Sequence, residues 1–98
     1  MTANRDYMAL MPSEPDLKRL AWRAHHRGTK EADLMIGGFF DAHHRSWSSD
    51  EQSLFEAMLE EQDVDIMAWA LGAKDPPEHY AGPMIEALRK LDYIRIER

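Results

Sequence analysis

Ninety-eight residues at a net charge of −6 describe one small domain, and 44% hydrophobic residues beside 31% charged ones argue for a packed core over disorder. The acidic balance opposes general attraction to nucleic-acid phosphates and anionic lipid, and no apolar run approaches the roughly 18 residues of a membrane helix. The absence of cysteine removes disulfides and thiolate metal sites, and the seven methionines read chiefly as fillers of an irregular core.

Residues 1–15 carry two prolines and no sustained period, so they read as a loose leader. This stretch has neither the apolar run of a signal peptide nor the Arg-rich, acid-poor make-up of a transit peptide, and the chain as given reads as cytoplasmic. A helical domain is expected over 16–92. Asp16 is placed to cap its first helix, which has the stripe Leu17, Leu20, Ala21 and Ala24. Gly28 is expected to close that helix in the C-terminal glycine position, with Arg23, His25, His26 and Arg27 favoured by the negative end of its dipole. These cations and Lys18 and Arg19 form a basic patch too short, in so acidic a chain, to point to nucleic acid.

Thr29 offers the cap of a second helix, and Glu31 and Asp33 fall in its first turns, where carboxylates are favoured. The run from Leu34 to Phe40 is apolar nearly all round, as in a helix with neighbours on several sides. Gly37 and Gly38 each cost about 1 kcal/mol against alanine there, so either another helix crosses closely or the helix is interrupted, with the close crossing favoured. Ser48-x-x-Glu51 and Ser49-x-x-Gln52 both match the capping box that starts a third helix, with Leu54, Phe55, Met58 and Leu59 inward. Asp63 or Asp65 is expected to cap a fourth helix that Gly72 ends, and residues 74–80 read as a loop. Pro83 opens a fifth, with Met84, Ile85, Leu88 and Leu91 buried, and residues 93–98 form a tail whose alternation suits extended chain. The expectation is an all-α single domain, a small bundle of about five helices.

Five histidines invite a metal reading. Adjacent residues on a helix point about 100° apart, so His25-His26 and His43-His44 make poor chelates, and no H-E-x-x-H spacing is present. Glu31 and Asp33 could serve acid–base catalysis only in a pocket that excludes water, and no nucleophile lies near them in the pattern. Neither glycine-rich phosphate fingerprint occurs. The string Arg27-Gly28-Thr29-Lys30-Glu31-Ala32-Asp33 therefore stands out. Capping accounts for Gly28 and Thr29 but weakly for Arg27, Glu31 and Asp33, so on spacing alone the corner is either a purely structural feature of a generic helical interaction module or a contact surface.

The strings Leu20-x-Trp22-Arg23, Arg27-Gly28-x-x-Glu31-x-Asp33, Leu54-Phe55-Glu56-x-x-Leu59-Glu60 and Asp63-x-Asp65-Ile66-x-x-Trp69-x-Leu71-Gly72 occur in that order. Over residues 17–72 the chain resembles the family of succinate dehydrogenase flavinylation factors, called SdhE in bacteria. The resemblance implies a helical assembly factor and not an enzyme. It would bind the flavoprotein subunit of succinate dehydrogenase, and in bacteria also that of fumarate reductase, and promote covalent attachment of FAD to a histidine of that partner. On this reading the chain binds no cofactor itself, contacts no nucleic acid or membrane, and is a monomer or weak homodimer. The family motif assigns the partner contact to Arg27, Gly28, Glu31 and Asp33. The chain departs from the family pattern at His26, commonly a second arginine, at Lys30, often apolar, and at Val64, where proline is usual.

Overall fold

The structure, a computed structural model, describes residues 14–94. Helix α1 spans Glu14–His25. The helical run 30–43, here α2, joins an α-turn at Lys30–Ala32, a π turn at Asp33–Gly37 and an α-helix at Gly38–His43. Helices α3 (Ser49–Met58), α4 (Asp63–Leu71) and α5 (Pro83–Arg89) follow, with short 3-10 turns at His44–Ser46 and Glu78–Tyr80. The described residues form an all-α domain of five helices, with no strand among them. The expected leader lies outside them except for its last two residues, which already belong to α1.

Capping chemistry explains most of the boundaries. The Thr29 hydroxyl accepts the Ala32 amide at 3.2 Å, and Ser48 and Glu51 close a reciprocal capping box. Gly72 ends α4 in the left-handed conformation, and Pro83 sits in the first turn of α5. Three expected caps differ. Helix α1 starts at Glu14, so Asp16 lies inside it and receives Arg19 one turn on. Gln62, with no side-chain cap, precedes α4, so Asp63 and Asp65 serve its dipole within the first turn. Helix α1 stops at His25, three residues before Gly28, so the glycine closes a bend beyond the usual cap position.

The core joins Leu20 and Ala24 of α1, Met35, Ile36, Phe39 and Phe40 of α2, Phe55 and Met58 of α3, Ile66 and Trp69 of α4, and Met84, Ile85 and Leu88 of α5. Trp47, half-buried before α3, packs its ring 4.8 Å from Phe55. Of the four described methionines, Met35, Met58 and Met84 are buried and Met67 is partly so, in keeping with core filling.

The two adjacent glycines mark a close approach and an interruption together. At Gly37 a Cβ would stand 2.3 Å from the ring of His25, the last residue of α1, whose Nε2 lies 2.9 Å from Asp41 one turn further along α2. At Gly38 a Cβ would stand 3.1 Å from the carbonyl oxygen of Tyr93. The alternating pattern of the tail puts Tyr93 in extended chain. Its ring is instead buried edge-on to Phe39 and its hydroxyl donates to the Leu88 carbonyl, because a turn with Leu91 at φ 57° brings the chain back onto α2. The π turn adds a residue to one turn and shifts the faces on either side of it. Leu34, expected inside, consequently stays 49% exposed while Met35 and Ile36 turn inward.

Candidate functional site

The bend between α1 and α2 is built by its own backbone. Gly28 has φ +115°, a conformation that L side chains rarely adopt, and among the described residues no atom beyond its two chain neighbours lies within 4 Å of where its Cβ would stand. Glycine is thus required here for backbone conformation, and the backbone above it is open. The Asp33 carboxylate reaches back to accept the Arg27 amide at 2.5 Å, and the Asp33 amide bonds the Thr29 carbonyl at 2.9 Å. Asp33 therefore ties the two ends of the bend together and is only half-exposed.

Arg27 turns inward, its side chain 12% exposed. Its Nε donates to the Asp63 carboxylate at 2.7 Å, and one terminal nitrogen donates to the carbonyl oxygens of Leu59 at 2.9 Å and Glu61 at 3.3 Å. One planar guanidinium thus clasps both the turn between α3 and α4 and the first residue of α4. Tyr80 holds that same turn from its other side, donating its hydroxyl to Glu61 at 2.8 Å and to the Ala57 carbonyl at 3.2 Å. Burial, then the Glu61 carboxylate, pushes the Tyr80 hydroxyl up to about 12. On the α1 side, Arg23 pairs with Glu60 and lies 3.9 Å from Glu56.

Glu31 is the opposite case. It projects from the first turn of α2, is exposed, and makes no hydrogen bond or ion pair among the described residues. Around the bend lies a shallow, open concavity of about 510 Å³ bordered by His26, Gly28, Thr29, Lys30, Asp33 and Leu34. Trp22, 61% exposed, stacks on His26 at 4.3 Å, so an apolar ring and the Leu34 side chain flank the charged groups. Of the four residues singled out from the sequence, Glu31 and the Gly28 backbone face outward, Asp33 is shared between frame and surface, and Arg27 faces in. Sequence reasoning did not identify Asp63 as the partner of Arg27. The signal available was opposite charge in two separate motif strings, which has no spacing rule to connect it.

Residues 18–92 match the family described as flavinator of succinate dehydrogenase. The chain belongs to this family. The FAD assembly factor SdhE of Acetobacter pasteurianus is 38% identical over 81 residues, covering 83% of this chain and 72% of that protein. The mitochondrial succinate dehydrogenase assembly factor 2 of Cryptococcus neoformans is 34% identical over 73 residues, 74% of this chain and 42% of its own length. That of Drosophila grimshawi is 29% identical over 84 residues, 81% of this chain and 57% of its own length. The chain thus spans about half the length of these two mitochondrial relatives and more of the bacterial one. No solved structure gives a significant match. The family match runs from within α1 through α5, so it takes in nearly the whole packed unit and not the bend alone. No helix among the described residues is long and apolar enough to cross a membrane.

Proposed function

We propose that the bend at residues 27–33 docks the flavoprotein subunit of succinate dehydrogenase, and that of fumarate reductase in a host that has one, so that FAD becomes covalently attached to it. The observation that carries this reading is the contrast at the bend: Glu31 stands outward and uncommitted, next to the exposed Lys30, on a frame in which Arg27 and Asp33 are already paired. An exposed carboxylate held by a capped helix start can accept hydrogen bonds from partner backbone or pair with a partner cation. The open backbone at Gly28 admits close approach, and the rings of Trp22 and His26 with Leu34 supply apolar contact beside it. Glu31 by its side chain, Gly28 by its backbone and Asp33 at its edge make this docking surface, and Arg27, expected from the motif to touch the partner, supports it from within.

The chemistry of flavin attachment belongs to the partner and its FAD. The assembly factor binds no cofactor of its own and acts by holding the partner in the geometry that attachment needs, a contribution of positioning and population shift. It works where that subunit matures, the cytoplasm of a bacterium or the mitochondrial matrix of a eukaryote, as a monomer or a weak homodimer whose contact the client covers.

A strain lacking this gene, complemented with the wild-type chain or with Glu31→Ala, tests the reading through in-gel fluorescence of covalent flavin. The variant is expected to fold normally and leave the flavoprotein subunit without covalent flavin. Normal fluorescence with Glu31→Ala would remove the bend from the mechanism.

A further inference from the structure

Arg27 looks like a group meant for the partner when only the sequence is read, because it is a cation in a charged, surface-forming bend. The structure places it elsewhere. Its guanidinium is almost covered and satisfies three acceptors at the α3–α4 turn: the Asp63 carboxylate and the carbonyl oxygens of Leu59 and Glu61. Those carbonyls belong to the end of α3 and the turn before α4, where the helix stop at Met58 leaves backbone acceptors without partners inside the helix. The Arg27 amide is meanwhile held by Asp33, so the residue is fixed at both backbone and side chain. The next residue is Gly28, whose unusual φ sets the path into α2 and the direction of Glu31.

We infer that Arg27 is a positioning residue for flavinylation, acting through Asp63 and the α3–α4 turn to hold the Gly28–Glu31 surface in its binding shape. The two charged strings of the sequence, one around Arg27 and one around Asp63, are then a single device. Asp63 is as necessary for partner binding as Arg27, although the sequence places it 36 residues away at the start of another helix. The inference rests on the docking role of the bend, and its test keeps the two claims apart.

The experiment measures affinity of the full chain for the purified apo flavoprotein subunit, with hydrogen exchange of the Gly28 and Thr29 amides in the free chain and thermal unfolding alongside. The variants are Glu31→Ala, Asp63→Asn, Asp63→Glu, Arg27→Lys and the double variant Arg27→Lys with Asp63→Asn. The change Asp63→Asn keeps shape without charge, and Arg27→Lys keeps charge without the planar fork that reaches three acceptors. Asp63→Asn and Arg27→Lys are each expected to weaken binding about tenfold, and the double variant no further, as coupled members of one unit behave. Both should speed exchange at Gly28 and Thr29 with no partner present, at temperatures where the fold is intact. Asp63→Glu, which restores the charge, should recover part of the affinity, as a residue needed only for global stability would not.

Wild-type affinity in Asp63→Asn beside a loss in Arg27→Lys would overturn the inference, since Arg27 would then touch the partner itself. So would losses that multiply in the double variant, or unchanged exchange at the bend. Should Asp63→Asn not fold, Arg27→Lys alone carries the exchange measurement. Wild-type affinity in Glu31→Ala would sink the docking role instead, and the exchange data would still report on positioning.

Discussion

A backbone φ of +115° at Gly28 leaves little room for another residue, and the reason is conformational, since nothing crowds the missing side chain. Gly28→Ala is expected to destabilise the free chain by about 1–3 kcal/mol, the strain of a side chain in that region, and this is readable as a lower thermal midpoint. Partner binding should fall with it, because the same torsion aims the first turn of α2. Glu31→Ala makes the complementary case. An exposed side chain without internal partners can be removed within about 0.5 kcal/mol of wild-type stability, so any loss of covalent flavin with that variant is a loss of contact. Two neighbouring residues of one motif thus separate cleanly: one is measured by unfolding and by binding, the other by binding alone. A large midpoint shift for Glu31→Ala would show that its carboxylate supports the fold.

Between elements, the crossing of α1 over α2 is as demanding as any contact in the core. Gly37→Ala would drive a methyl group into the His25 ring, with contacts of 2.3–2.8 Å to three ring atoms. The ring must then leave its place and its partner Asp41, and we expect a loss of about 1–3 kcal/mol from overpacking. Replacing His25 by alanine in the same chain should return part of that loss, a non-additivity that equilibrium unfolding of the four chains measures directly. The need for a close crossing was legible from two glycines in an apolar run. The helix stripes, the Thr29 and Ser48 caps and the Gly72 stop were legible for the same kind of reason: each is local chemistry within four residues. The starts of α1 and α4 were not, because an aspartate satisfies a helix dipole almost equally as a cap or within the first turn. Leu34 was misplaced because a π turn changes helical phase without changing composition. The candidate site was visible as a string of residues, and the family motif named its members. The inward course of Arg27 was invisible, because it depends on where α3 ends in space.

For the molecule as a whole, the C-terminal half is fastened to the rest by two buried tyrosines, one on each side of α5. Tyr80 bonds the α3–α4 turn through Glu61 and Ala57, and Tyr93 lies against α2 and bonds the Leu88 carbonyl. Burial holds the Tyr80 hydroxyl up at about 12, with the Glu61 carboxylate adding to it, and burial moves Tyr93 in the same direction, aided by Asp92. In the unfolded chain both phenols ionise near the ordinary value of about 10. Between these values the unfolded state has released protons that the folded state retains, so rising pH favours unfolding. The stabilisation is fully present below the ordinary phenol value and is lost as the pH climbs through the folded one. We therefore predict that the urea midpoint falls steeply from about pH 10 to about pH 12. Tyr80→Phe should cost about 1 kcal/mol of stability at neutral pH through the lost hydrogen bonds, seen as a lower midpoint, yet make the alkaline fall shallower. The two midpoint curves are expected to converge as the pH rises. Curves that stayed parallel across the alkaline range would show that the Tyr80 phenol is not what couples the α3–α4 turn, and with it the Arg27 clasp, to proton release.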